Sequence, residues 1–257
     1  MSADATQDTP LFGRNPVLEL LRAHSRRVEE VAVLSEGRGP ALQELVTLAR
    51  GRGVKISFRT RDQLTAIAGT PHHQGVVARV AESTYASLEE LLAIPGQRGE
   101  PAFFLVLDQI QDPRNLGAVL RSAEATGAHG AIVPKHHAAG LTGAAAKSAM
   151  GAVEHLAVAR ETNLVQSLEI LKKEGLWVVG STVRGGQAPS EIDLTGPLCL
   201  VLGGEGPGLR PLVAKTCDFL ASIPMRGRVN SLNVSAAAAI LCYEVQRQRV
   251  TKQTKLS

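Results

Sequence analysis

With 257 residues, 44% of them hydrophobic and 20% charged, the chain can build one large or two modest domains without a disulfide or metal, and disordered, collagen-like and coiled-coil classes are excluded. The net charge of +4 arises in residues 101–257, where 16 basic side chains face 12 acidic ones. So mild an excess permits a polyanionic partner and does not identify one.

Residues 1–10 carry Asp4 and Asp8 but no basic or apolar secretory pattern, and they are expected to be disordered. Asn15-Pro16 ahead of Val17, Leu18, Leu20 and Leu21 reads as an N-cap with proline at the first helical position, which predicts a helix over 16–24. Periodicity then predicts a strand over 28–34, a helix over 41–50, a strand over 54–58, a helix over 61–68 and a strand over 75–80. Between 83 and 101 only a short helix, 88–92, is expected before the Pro95-Gly96 and Gly99 breakers. That stretch is taken as a linker between an N-terminal α/β domain, 11–82, and a larger domain, 102–249, with 250–257 as a tail. In the larger domain the apolar runs 103–107, 131–133, 177–180, 199–202 and 219–223 alternate with helical stretches, the pattern of buried parallel strands. The alanine- and glycine-rich segment 138–152 suits a helix packed closely against a neighbour. Cys199, Cys217 and Cys242 sit in apolar surroundings and read as reduced thiols. The longest apolar stretch, 231–243, is too short for a bilayer, so a cytoplasmic protein with no membrane partner is expected.

Three loops at the C-terminal ends of these strands are unusually polar or glycine-rich, and open α/β sheets place their ligands there. The first, 108–117, runs Asp-Gln-Ile-Gln-Asp-Pro-Arg-Asn-Leu-Gly into a helix with apolar face Leu116, Val119, Leu120 and Ala123. Gly117 lies one turn before Arg121. It either leaves space for a ligand beside the guanidinium or lets another helix approach, Arg121 then being a solvated charge. The second loop, 203–209, has glycine at four of seven positions, so its backbone can approach a ligand closely. It is neither a dinucleotide fingerprint nor a P-loop, which disfavours an oxidoreductase. Its one charged residue, Glu205, serves a ligand or caps a helix. The third loop, 223–235, crowds two arginines, two asparagines and two serines together, more than a helix cap by Asn233 or Ser231 requires. His72-His73 and His136-His137 lack zinc-like spacing with cysteine and are read as solvated loop residues, so no metal is expected.

In this order and spacing the three segments resemble the motifs of the SpoU (TrmH) branch of the SPOUT methyltransferases, over roughly residues 101–249: Asn-Leu-Gly-Ala-Val-Leu-Arg-Ser-Ala at 115–123, Gly-Gly-Glu-Gly-Pro-Gly-Leu at 203–209, and Ile-Pro-Met followed by Ser-Leu-Asn-Val-Ser within 223–235. Leu11-Phe12-Gly13-Arg14-Asn15-Pro16-Val17 and His72-His73-Gln74-Gly75-Val76 are similar to pieces of the L30e/L7Ae-like substrate-binding domain of the family's ribosomal-RNA members. The resemblance implies a parallel-sheet SPOUT domain with a deep trefoil knot, a homodimer with active sites at its interface, and S-adenosylmethionine (SAM) as methyl donor. The activity implied is methylation of a guanosine ribose 2′-hydroxyl in structured RNA. The likeness is closest to the 23S ribosomal RNA enzymes; a tRNA guanosine 2′-O-methyltransferase and a non-catalytic RNA-binding protein stay open as alternatives.

Carried over by position, Arg121 matches the family's catalytic arginine, and Asn115, Glu205, Ser231 and Asn233 match the polar groups around it. Gly203, Ile223 and Leu232 match SAM-holding positions, with Thr182 as a further contact. A guanidinium stays protonated, so Arg121 is expected to fix the target phosphate and stabilise charge growing on the 2′-oxygen. Aromatic residues make up only 3%, so recognition should rest on RNA shape and phosphate contacts, with Arg14, Arg22, Arg26 and Arg27 as candidates.

Overall fold

The computed structural model describes residues 9–23, 28–80, 85–141, 143–206 and 208–256. Arg26 and Arg27, two of the expected RNA contacts, lie outside the described residues.

The N-terminal unit comprises β1 (Thr9–Phe12), α1 (Arg14–Ala23), β2 (Val28–Leu34), α2 (Pro40–Gly51), β3 (Lys55–Arg59), α3 (Arg61–Ala68) and β4 (Val76–Val80). Its sheet runs β1-β4-β2-β3, antiparallel except for the β2–β3 pair. Strand β1 was not expected: four residues with a proline carry no period, and Pro10 is tolerated because β1 is an edge strand. Thr9 and Pro10 are therefore extended, where disorder was expected. Leu20, Leu21, Val31, Leu45 and Val76 form the core of this unit.

Next comes α4 (Leu88–Arg98), where a linker with one short helix was expected. Ser87 and Glu90 close a capping box, Glu90 N donating to Ser87 Oγ at 3.1 Å and Ser87 N to Glu90 Oε2 at 2.7 Å. The helix runs through Pro95 and stops at Gly99, whose φ of 65° makes the left-handed C-cap. Buried Leu88, Leu91 and Pro95 hold it against the sheet, and this packing outweighs the breaker signal.

The remaining elements are β5 (Phe103–Asp108), α5 (Pro113–Ala125), β6 (Gly130–Pro134), α6 (Gly143–Ala149), β7 (Ala157–Glu161), α7 (Leu164–Lys173), β8 (Trp177–Ser181), β9 (Leu198–Gly203), α8 (Pro211–Thr216), β10 (Phe219–Ala221) and α9 (Val234–Leu256). Six parallel strands are ordered β10-β8-β9-β5-β6-β7. The expected parallel sheet thus has one strand more than its five apolar runs: β7, Ala-Val-Ala-Arg-Glu, pairs with β6 on one side, meets a single bridge from Ala86 to Ala159 on the other, and is too polar to read as buried. Helix α6 is shorter than 138–152, since Met150 and Gly151 turn left-handed, at φ 51° and 94°. Helix α9 continues to Leu256, past the expected tail boundary at 250.

Alternation along β5 divides the core. Phe103, Leu105 and Leu107 pack with α5 and α9 on one face, and Phe104 and Val106 pack with α4 and α7 on the other. A strand buried on both faces needs such a continuous apolar run. The two units meet where Ala146 of α6 joins the N-terminal core, Lys147 Nζ lies 4.7 Å above the Phe12 ring, and His155 Nε2 lies 3.4 Å from Glu19 Oε2. At the base of the sheet, the Arg249 guanidinium donates to the carbonyls of Pro101, Ala102 and Gly196 at 2.8–2.9 Å, tying α9 to the start of β5. Among the described residues no helix is long and apolar enough to cross a membrane.

Candidate active site

The exit of β5 is built around a buried carboxylate. Asp108 is 0% exposed; its Oδ1 accepts from Arg210 Nε at 2.7 Å and its Oδ2 from Arg210 N at 2.9 Å. Its own carbonyl accepts from Gly204 N at 2.8 Å. One residue thereby fastens both ends of the glycine loop that follows β9. A Cβ on Gly204 would strike the carbonyl of Gln109, so only glycine lets the two loops approach this closely.

Asp112 caps α5, accepting from Arg114 N at 2.8 Å, and Pro113 occupies the first turn. This places Asn115 at the start of the helix, where its Nδ2 donates to Glu205 Oε1. The Asn115 Oδ1 accepts from Asn233 Nδ2 at 3.1 Å. Asn233 Oδ1 in turn caps α9, accepting from Ser235 N at 2.8 Å and Ser235 Oγ at 2.6 Å. One hydrogen-bonded chain therefore joins all three loops singled out in the sequence. Glu205 is not a helix cap: α8 begins after Arg210, and the Glu205 carboxylate accepts from Asn115 through Oε1.

Beside this chain lies a cavity of about 750 Å³. Its walls include the expected cofactor positions Thr182, Gly203, Ile223 and Leu232, and the expected catalytic positions Glu205, Ser231 and Asn233. Leu209, Leu220 and Leu241 supply apolar surface, and Glu205 is the one charged residue among the described lining. Thr182 has its hydroxyl committed to the carbonyl of Arg184 at 3.0 Å, which leaves its hydroxyl lone pairs for a ligand.

Arg121 stands apart from this assembly. It is exposed, it is absent from the cavity wall, and no partner for it is found among the described residues. The choice left open at Gly117 falls to helix packing. A Cβ there would strike the carbonyl of Ala145 and lie 2.7 Å from Ser148 Cβ, so α6 fills the space that a ligand would need.

In the N-terminal unit Arg14 is exposed and donates through Nε to the carbonyl of Gln74 at 3.2 Å. Arg22 is held between Glu19 and Glu44 at 2.7 and 2.6 Å, which leaves its guanidinium less free for phosphate. One expectation fails outright: His73 is only 1% exposed. Its Nδ1 accepts from Gly75 N at 3.0 Å, and its Nε2 lies 3.3 Å from Thr65 Oγ1, so it is a structural group inside the turn that enters β4. Burial, with Arg61 nearby, holds its imidazole below the usual range. His72, His136 and His137 are exposed as expected. All three cysteines are free thiols, and burial pushes Cys217 up to about 11 and Cys242 up to about 12. Among the described residues no group of three or more His, Cys, Asp or Glu is placed to hold a metal ion.

Sequence reasoning passed over Asp108 and Arg210. The available signal was a carboxylate ending an otherwise apolar strand, Phe-Phe-Leu-Val-Leu-Asp, where burial demands a partner.

The SpoU rRNA Methylase family model matches residues 102–243, and a model for RNA 2'-O ribose methyltransferase substrate binding matches residues 10–86. The chain belongs to the SpoU rRNA methylase family. It is 43% identical over 239 residues to a putative TrmH family tRNA/rRNA methyltransferase, YacO, of Bacillus subtilis, covering 93% of this chain and 95% of the relative. It is 44% identical to the 23S rRNA (guanosine-2'-O-)-methyltransferase RlmB of Coxiella burnetii, with the same coverage. Among solved structures, the SpoU methyltransferase AviRb from Streptomyces viridochromogenes, in complex with AdoMet, superposes with a TM-score of 0.81 at 26% identity, over 95% of this chain and 91% of that one.

Proposed function

We propose that this protein transfers a methyl group from SAM to the 2′-hydroxyl of a guanosine ribose in 23S ribosomal RNA. The observation that carries the reading is the chain Glu205–Asn115–Asn233, which ties the three family motifs together at the mouth of one cavity. The cavity suits SAM: glycine backbone and leucine side chains offer a face for the adenine, and Glu205 offers a negative charge to a cationic sulfonium or ammonium. SAM supplies an electrophilic methyl on a good leaving group, so the protein has to position a poor nucleophile and manage its proton.

We assign the positioning to Asn115, Glu205, Ser231 and Asn233. The amide of Asn115 bonds Glu205 through its nitrogen and Asn233 through its oxygen, which fixes one oxygen of the Glu205 carboxylate and leaves the second for the ligand or the ribose. Arg121, with no partner among the described residues, takes the phosphate of the target nucleotide and stabilises negative charge on the 2′-oxygen, the proton leaving through phosphate or water. Thr182, Gly203, Ile223 and Leu232 hold SAM. The N-terminal unit binds the RNA, with Arg14, exposed and, among the described residues, free of the carboxylate pairing that holds Arg22, as a phosphate contact.

The same reading includes the deep trefoil knot, a cytoplasmic location and a homodimer with active sites at the interface. Ile240, Tyr243 and Val250 are 43–61% exposed on one side of α9, with the Arg247–Glu244 pair beside them, and apolar side chains left open in this way suit a second subunit. Reaction of the full chain with unmodified 23S RNA and SAM, followed by digestion to nucleosides, should yield 2′-O-methylguanosine. A base-methylated nucleoside, or none, would overturn the assignment.

A further inference from the structure

We infer that Asp108 and Arg210 form a clasp that holds the glycine loop in its SAM-binding shape, making both of them positioning residues for the cofactor. This rests on the reading of the cavity as the SAM site. The loop leaves β9 at Gly203 and returns at Leu209, and both residues line the cavity. Its two legs touch, because a Cβ on Gly203 would strike Gly208, and Gly206 and Gly208 turn left-handed at φ 97° and 70°. A glycine-rich turn of this kind has many alternative conformations when free. It needs an outside anchor to stay in one.

Asp108 is that anchor for both legs. Its carbonyl takes Gly204 N on the incoming leg, and its carboxylate takes Arg210 N and Nε on the outgoing leg. The carboxylate is fully buried while the Arg210 side chain remains 42% exposed, and among the described residues Arg210 is the one ion-pair partner of that carboxylate. Asp108 itself does not line the cavity and acts through the loop. The adjacent turn at Gln109, φ 62°, leads on to the loop that carries Asn115. The clasp thus also sets the distance between the cofactor loop and the start of α5.

The test is titration of the full-length protein with SAM by calorimetry, alongside Arg210→Ala, Arg210→Lys and, as control, Arg249→Ala. Arg249 makes comparable hydrogen bonds at the opposite end of β5 and should affect thermal stability alone. Arg210→Ala should weaken SAM binding about tenfold, the scale of one charge-assisted hydrogen bond. It should raise the KM for SAM with a smaller change in kcat, and Arg210→Lys, which retains a donor, should recover part of the affinity. Unchanged SAM affinity in Arg210→Ala, or equal weakening in Arg249→Ala, would overturn the clasp. Failure of the wild-type chain itself to bind SAM would instead remove the reading of the cavity, and the clasp with it.

Discussion

Replacing Gly117 with alanine separates two roles that its position in the chain leaves open. The added Cβ would lie 2.7 Å from Ser148 Cβ and 2.9 Å from Ala149 N, and closer still to the Ala145 carbonyl. Carbon contacts settle near 3.5–4.0 Å, so α5 and α6 must part by about 1 Å. Overpacking of this kind costs about 1–3 kcal/mol, against which alanine returns about 1 kcal/mol of helix propensity. The balance is destabilising, and at about 2–4 °C per kcal/mol for a chain of this size the melting temperature should fall by a few degrees. Because α6 carries Ala146 and Lys147 into the junction with the N-terminal unit, the loss should appear as one cooperative shift. Calorimetry with and without SAM is the assay. A Gly117→Ala protein that melts at or above the wild-type temperature yet loses SAM affinity would refute the packing argument and restore Gly117 as ligand space.

Arg121→Lys should lower turnover about a hundredfold while leaving SAM affinity intact, since a lysine keeps the charge and loses the planar fork; near-normal kinetics would exclude a bidentate phosphate role. Asn233→Asp preserves the acceptor that caps α9 but removes the donor to Asn115, so melting should change little while methyl transfer falls; Asn233→Ala should cost about 1 kcal/mol of stability as well. Burial lowers the imidazole pKa of His73 and of His129, which is 1% exposed just ahead of β6 with Glu100 beside it, so unfolding favours proton uptake. Their contribution is therefore present above pH 6.5 and is lost as pH falls through the depressed folded values. Melting temperatures at pH 8, 7, 6 and 5 should decline below about pH 6.5, and His129→Gln should flatten that decline. With Cys217 pushed up to about 11 and Cys242 to about 12, iodoacetamide at pH 8 should label none of the three cysteines in the native protein and all three after denaturation.

The chemistry of this chain is more legible in its sequence than its outline. Asn115, Glu205 and Asn233 lie in three polar or glycine-rich strand-end loops whose order and spacing resemble the family motifs, and the structure joins those three by hydrogen bonds. Strands such as 103–107 and 199–202 are readable because burial on both faces demands unbroken apolar runs. By contrast β7 ends in Arg160 and Glu161 at the end of the sheet, and β1 is four residues long, so neither leaves a period to detect. Helix α4 is hidden by Pro95-Gly96, whose local cost is met by the burial of Leu88, Leu91 and Pro95, a tertiary effect. His73 misleads because nothing in His-His-Gln-Gly tells which imidazole turns inward, and the Asp108–Arg210 pair spans a sequence separation of 102 that no local pattern reports.

The most direct measurement is transfer of labelled methyl from SAM to separate pools of unmodified 23S, 16S and transfer RNA, each run beside Arg121→Ala. The expected result is alkali-stable label on 23S RNA alone, at a single guanosine ribose, with the Arg121→Ala protein inactive. Label on transfer RNA alone would contradict the substrate, and no label on any pool would contradict the enzyme.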